Sequence, residues 1–238
     1  MAYLSWIDDN QLVEAVLHLM RIAEASQKLA QKKFNNNVID PFSAVFQIAG
    51  FGISYEEWVI GEQTRQSQKT LQNHIGNFHQ IVLGNVDGWE NLKTGNVMDL
   101  ISNRHKILAE IKNKHNTVKG SDLSGLYKSM EGAVMPKSSR FKDYTSYYVT
   151  IIPKRPERFD RAFAPSDKET GSKLPENEKI RIIDGASFYG MVTGVDNALE
   201  QLFDVLPTVI KEAAGATLSE KEAKKLKSFF SLAYGSPV

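Results

Sequence analysis

No cysteine occurs among the 238 residues. That absence removes disulfides, thiolate nucleophiles and cysteine-ligated zinc together, so any metal must sit on oxygen or imidazole, and it fits a reducing compartment. Long apolar runs are missing too: no stretch approaches the roughly 18 consecutive apolar residues of a membrane-spanning helix. The opening Met-Ala-Tyr-Leu-Ser-Trp-Ile-Asp-Asp lacks the basic start and apolar core of a secretion signal. The expectation is a soluble, cytoplasmic protein of bacterial, intracellular type. Net charge is nearly absent as well, at +1, but the balance hides a division. Residues 101–181 hold 17 Lys and Arg against 10 Asp and Glu, whereas the rest of the chain holds 12 against 18. A basic middle on a near-neutral chain suits a phosphate-lined partner; it equally suits an ordinary solvated surface.

What is present is enough apolar surface, 42% of residues, to fill one core, and the expectation is a single domain over 1–238. Its helical N-terminal part covers 1–84, the sheet and partner-contact loops 85–194, and C-terminal helices 195–238. Asp8 to Asn10 cap an amphipathic pattern (Leu12, Val13, Val16, Leu17, Met20) that runs to about Lys33, where Asn35-Asn-Asn37 closes it. Asp40-Pro41 begins a short second helix, and Ser54 with Glu57 forms a capping box for a third. That third helix runs towards Leu83 and stops at Gly84, with a break expected near Gly61. Its second half, Gln66 to Gln80, is rich in Gln, Asn and His.

Asp87-Gly-Trp89 reads as a turn. Leu123, Leu126, Tyr127, Met130 and Val134 recur at helical spacing up to Pro136. Tyr144-Thr-Ser-Tyr-Tyr-Val-Thr-Ile-Ile152 is the clearest strand, its apolar end that of a central one. Pro153 to Lys179 reads as a long exposed loop, Ile180-Arg-Ile-Ile183 as a short strand, and Asp184 as the cap of a helix from Gly185 to Thr193. A helix over Asp196 to Ala213, kinked at Pro207, and a basic one over Ser219 to Leu232 end the chain. Helices first, then a hairpin, a helix, strands and further helices describe an α/β (α+β) fold: a mixed central β-sheet flanked by helices, with a helical N-terminal third.

The chemistry concentrates at Asp99, Glu110 and Lys112. In a strand over Lys106-Ile-Leu-Ala-Glu-Ile-Lys112, Glu110 and Lys112 share one face while Ile111 takes the other. Asp99 closes the preceding apolar run Asn96-Val-Met-Asp99, and Ser102-Asn-Arg-His105 is the turn that folds it back beside Glu110. Two carboxylates would hold Mg²⁺ with positions left for water and a phosphate oxygen, and the lysine would orient the water and offset developing charge. Surface acids on an ordinary hairpin are the plain alternative; the flanking Val97, Met98, Ala109 and Ile111 make free solvation there awkward.

An acid at a strand end followed by acid-x-Lys on its neighbour resembles the PD-(D/E)XK nuclease signature, with Met98 where proline stands in that pattern. Further segments carry a closer resemblance: Asn37-Val-Ile-Asp-Pro-Phe42, Lys69-Thr-Leu-Gln-Asn-His-Ile-Gly76, Phe78-His-Gln80, Asp87-Gly-Trp89, Val134-Met-Pro-Lys137 and Asp184-Gly-Ala-Ser-Phe-Tyr189. Together, over residues 1 to about 213, the chain resembles type II restriction endonucleases that cleave GGNCC-type sites. The resemblance implies a restriction-endonuclease-like core, Mg²⁺-dependent hydrolysis of both DNA strands, a homodimer to read a two-fold site, and a DNA methyltransferase as genetic partner.

A supporting acid or amide from the polar helix before the hairpin is expected among Gln80, Gln72 and Glu62. His74 and His79, five residues apart, miss the i,i+4 spacing of a helical zinc pair. DNA contacts are expected from Asn113, Lys114, His115, Asn116 and Lys119, which follow the acid-x-Lys strand, from Lys154, Arg155, Arg158 and Arg161, and from Arg181 and Asp184. Phe188 and Tyr189 read as core. Two other functions suit the same residues: a structure-specific repair or recombination nuclease, and a DNA-binding protein without catalysis.

Overall fold

A computed structural model describes residues 2–93, 98–167 and 169–235. Its helices begin where the caps require. The Asp8 carboxylate accepts from the Asn10 and Gln11 N–H groups and starts α1, Asp9–Lys32. Asp40 accepts from Phe42 and Ser43 ahead of α2, Pro41–Phe51, which Gly52 ends in a left-handed conformation. The Ser54–Glu57 capping box opens α3, Tyr55–Gly84. The expected break at Gly61 is absent: α3 is continuous over 30 residues. One interior glycine costs about 1 kcal/mol, too little to interrupt a helix that packs along α1.

The sheet contains β1 (Glu90–Asn91), β2 (Leu100–Ser102), β3 (Ile107–Lys114), β4 (Thr145–Ile152), β5 (Asp160–Ala162) and β6 (Ile180–Asp184). Their spatial order is β1-β2-β3-β4-β6-β5, with β3, β4 and β6 parallel and the outer strands antiparallel. Helix α4, Leu123–Val134, makes the crossover from β3 to β4; α5 (Gly185–Thr193), α6 (Ala198–Ala214) and α7 (Glu220–Tyr234) follow β6. Alternation along β3 and β4 divides the core. Ala109, Ile111, Tyr147, Val149 and Ile151 pack towards α1, α3, α5 and α6. Leu108 and Tyr148 pack on the other face with Tyr127, Met130 and Val134 of α4.

Three expectations change. Asp99 precedes a strand rather than closing one, because β2 starts at Leu100; Ser102 is the last residue of that strand, not part of the turn. Of the expected run before Asp99, residues 96–97 lie outside the described residues. The segment after Pro153 is not wholly loop: β5 pairs with β6, Phe163 is buried, and Asp167 is buried against Lys128. Helix α6 carries Pro207 in its interior, where the sequence places it.

Candidate active site

The β2–β3 register builds the site. Leu100 faces Ala109 and Ile101 faces Leu108, so Asp99, one step beyond the ladder, stands opposite Glu110. Asp99 donates its N–H to the Ala109 carbonyl at 3.0 Å. Its Oδ2 accepts the Ile111 N–H at 2.7 Å. Those two bonds hold the carboxylate across from Glu110 without a strand to carry it. Two residues along β3, the Lys112 Nζ donates to Glu110 Oε1 at 2.5 Å. The Gln80 side chain, near the C-terminal end of α3, donates to Asp99 from the helix side. Asp99, Glu110, Lys112 and Gln80 therefore meet at one place.

Electrostatics there are unfavourable to two bare carboxylates. Burial pushes the Asp99 carboxyl above its usual range, opposed by the Ile111 N–H and the Lys112 charge. Burial also raises Glu110, Asp99's negative charge raises it further, and only Lys112 pulls it back. Side-chain exposures of 14% for Glu110 and 27% for Lys112 leave the group reachable from solvent while mostly desolvated. Like charges in such a place are relieved by a proton or a cation.

Two further hydroxyls face this group, and sequence reading missed both. In the parallel β3–β4 ladder Tyr148 pairs with Glu110 and Thr150 with Lys112. Both are 2% exposed, and their hydroxyl oxygens have no hydrogen-bond partner. Burial and the Glu110 charge push the Tyr148 phenol up to about 12, so it remains an O–H donor. Their even-numbered positions in the β4 run were visible, but the register that sets them beside Glu110 and Lys112 was not.

The donor set suits a hard, hydrated cation. Among the described residues no group of three or more His, Asp or Glu is arranged for a metal, so an ion beside Asp99 and Glu110 would complete its shell with water and substrate oxygens. Mg²⁺ binds through one or two carboxylates in that manner.

The other expected residues separate. Gln72 is exposed on α3, about 12 Å along the axis from Gln80, and Glu62 is about 27 Å away. Glu62 is also engaged by Arg65 and Gln66, so of the three only Gln80 reaches the acids. Lys114, His115, Asn116, Lys119, Lys154, Arg155 and Arg161 are exposed; Asn113 is half-buried, its Oδ1 without a partner. Arg158 is held by Asp196, and Arg181 by Asp160 at 2.7 Å and Glu178 at 2.5 Å. Asp184 is 1% exposed and accepts the Phe159 and Ser187 N–H groups, which makes it a buried helix cap with no reach to a groove. Phe188 and Tyr189 are core, as expected.

His79 is also structural: Nδ1 lies 2.8 Å from the Tyr189 hydroxyl, and burial lowers its pKa from 6.5 to about 4. The unfolded chain then binds more protons than the folded one between those values, so stability is full above pH 6.5 and lost as pH falls towards 4. Urea unfolding of wild type and His79→Gln at pH 7.5 and 4.5 checks this. The wild type's advantage should shrink by up to about 3 kcal/mol; an unchanged difference contradicts it. Asp99 and Glu110, raised by burial, act in the opposite sense in both proteins and cancel in the comparison.

A mixed sheet whose antiparallel hairpin leads into parallel strands, flanked by helices and carrying an acid opposite an acid-x-Lys edge, is a restriction-endonuclease-like core. Within that class the relationship is specific. The chain belongs to the Eco47II restriction endonuclease family, whose profile matches residues 4–214. It is 45% identical over 240 residues to type II restriction enzyme Eco47II of Escherichia coli, covering 99% of this chain and 100% of that one. It is 32% identical over 227 residues to type II restriction enzyme Sau96I of Staphylococcus aureus, covering 94% of this chain and 84% of that one. No solved structure matches. The chain is thus a site-specific deoxyribonuclease of the type II restriction class.

Proposed function

We propose that this endonuclease hydrolyses both strands of a short palindromic GGNCC-like site with Mg²⁺, as a homodimer of PD-(D/E)XK type, in the bacterial cytoplasm beside a methyltransferase that protects host DNA. The observation that carries the reading is the meeting of Asp99, Glu110, Lys112 and Gln80 at one sheet edge in a chain of this family. Asp99 and Glu110 would hold the ion, which when bound supplies Lewis-acid stabilisation of charge on the scissile phosphate. Gln80 fixes the Asp99 carboxylate, and the Ile111 N–H holds its other side.

Lys112 has three donors, of which the Glu110 contact uses one. The others can orient a water towards phosphorus and neutralise charge as its P–O bond forms, its proton passing to solvent, and the opposite P–O bond breaks, that oxygen leaving as a hydroxyl after taking a proton from a solvent water. A point charge on a flexible stem suits that task better than a planar fork. Exposed Lys114, His115, Asn116, Lys119, Lys154, Arg155 and Arg161, with Asn113, form the proposed DNA-contact set; Arg or Lys among them would read guanine edges.

Incubation with plasmid and Mg²⁺ tests this. Discrete fragments ending at GGNCC sites, lost with EDTA and restored by excess Mg²⁺, are expected. Smearing or junction cutting supports a repair nuclease instead, and intact, gel-retarded DNA a binding protein.

A further inference from the structure

Helix α2 holds its aromatic side outward. Its polar residues face the protein: the Gln47 amide donates to Ser43 Oγ at 2.8 Å, and the Trp58 indole N–H donates to Gln47 Oε1 at 3.0 Å. Phe42, Val45 and Phe46 share the opposite side and are 75%, 64% and 76% exposed, while Ala44 and Ile48 are half-buried beside Ser43 and Gln47. No residue of α2 is buried, and Pro41–Phe51 contains no charged residue. At 150–250 Å² per aromatic side chain and somewhat less for valine, these three leave roughly 400 Å² of apolar surface in water. The largest apolar patch on a monomer is of that order and is often functional, and this area is most of the nonpolar share, a little over half, of the about 800 Å² that each partner buries in a standard interface.

We infer that the outward face of α2 is a self-association surface that pairs two copies of this chain. The inference deepens the homodimer part of the proposed function by naming the surface. A charge-free face needs no complementary charge, so it can be its own partner across a two-fold axis, residue against residue. The position fits that use. Tyr55, where α3 begins beside α2, lies about 37 Å along the helix from Gln80 at the acid cluster. The α1–α3 pair is therefore an arm that carries the apolar tip well clear of the site. Two arms running side by side and joined at their tips would leave a gap between the two sites, flanked by Gln68, Lys69, Gln72 and Asn73, all exposed. That is the polar stretch of α3 whose composition is unusual for a packing helix.

Analytical ultracentrifugation at micromolar concentration, without DNA or metal, provides the test. Wild type should sediment as a dimer, and Phe42→Glu/Phe46→Glu as a monomer, with at least about a 100-fold rise in dissociation constant. Both positions are exposed in the protomer, so an unchanged circular-dichroism spectrum is expected. A second variant removes dependence on that substitution: because the chain has no cysteine, Phe46→Cys introduces the sole thiol, and a short bis-maleimide should link two chains through it. A monomeric wild type overturns the inference, as does a dimer unaffected by the double substitution or not linked at residue 46. The nuclease reading is judged apart: a catalytically inert wild type that dimerises through α2 supports this inference and refutes only that reading.

Discussion

Lys112→Ala and Glu110→Ala are each expected to abolish plasmid cleavage under conditions where the wild type cuts to completion, and neither should lose DNA binding. Removal of one preorganised charge-stabilising donor costs about 10²- to 10³-fold in rate, so Lys112→Ala falls at least that far. It also releases Glu110, whose carboxylate Lys112 holds at 2.5 Å. Glu110→Ala should lose more, because half of the proposed two-carboxylate ion site would go with it. Excess Mg²⁺ should rescue neither. Gel shift across a salt series separates chemistry from binding. Loss of one cation changes the salt slope by about 0.9 at most, and loss of Glu110 removes a negative charge facing the phosphates, so affinity holds or rises. A variant cutting at the wild-type rate removes that residue from the site, and a variant that no longer binds makes it a binding residue.

Gly185→Ala has the largest expected effect on stability. A Cβ at Gly185 would lie 2.4 Å from the Ile151 carbonyl oxygen and 2.6 Å from its Cα. Those are backbone atoms of the central strand β4, which has β3 on one side and β6 on the other, so neither partner can swing away. Overpacking of this kind costs about 3 kcal/mol or more, and at this chain length each kcal/mol moves Tm by about 2–4 °C. A fall of roughly 6–12 °C in Tm is expected by calorimetry. The same displacement shifts Thr150, the neighbour of Ile151 in β4, so activity should drop before the fold is lost on warming. An unchanged Tm would mean that α5 does not approach β4 this closely.

Much of the helical frame was readable because caps are local chemistry. Asp8, Asp40, Ser54 with Glu57, Asp184 and Ser219 each lie immediately before the helix they begin. β4 and β6 were readable from β-branched and aromatic density. β1 and β5 were not: Glu90–Asn91 and Asp160–Ala162 have no apolar alternation, and only the strand beside each makes it a strand. The placing of Asp99 outside β2 escaped for a related reason, since backbone bonds to Ala109 and Ile111 position it rather than its own propensity.

For the site, the acid-x-Lys alternation was legible because its period is intrinsic to a strand. Tyr148 and Thr150 were not, because pairing across a crossover that contains α4 is a tertiary property. Asp184 shows a conflict between two readings of one residue. Its carboxylate, 1% exposed, accepts the Phe159 and Ser187 N–H groups, so the capping reading describes its surroundings and the contact reading did not foresee its burial. Charge alone likewise could not show that acids within the protein hold Arg158 and Arg181.

Crystals grown with a duplex containing GGNCC and soaked in Mn²⁺ test the central claim most directly. Anomalous density between the Asp99 and Glu110 carboxylates, with the Lys112 ammonium beside the scissile phosphate, is the expected result. A bound duplex whose scissile phosphate and ion lie elsewhere, with these three side chains facing no DNA, would contradict the account.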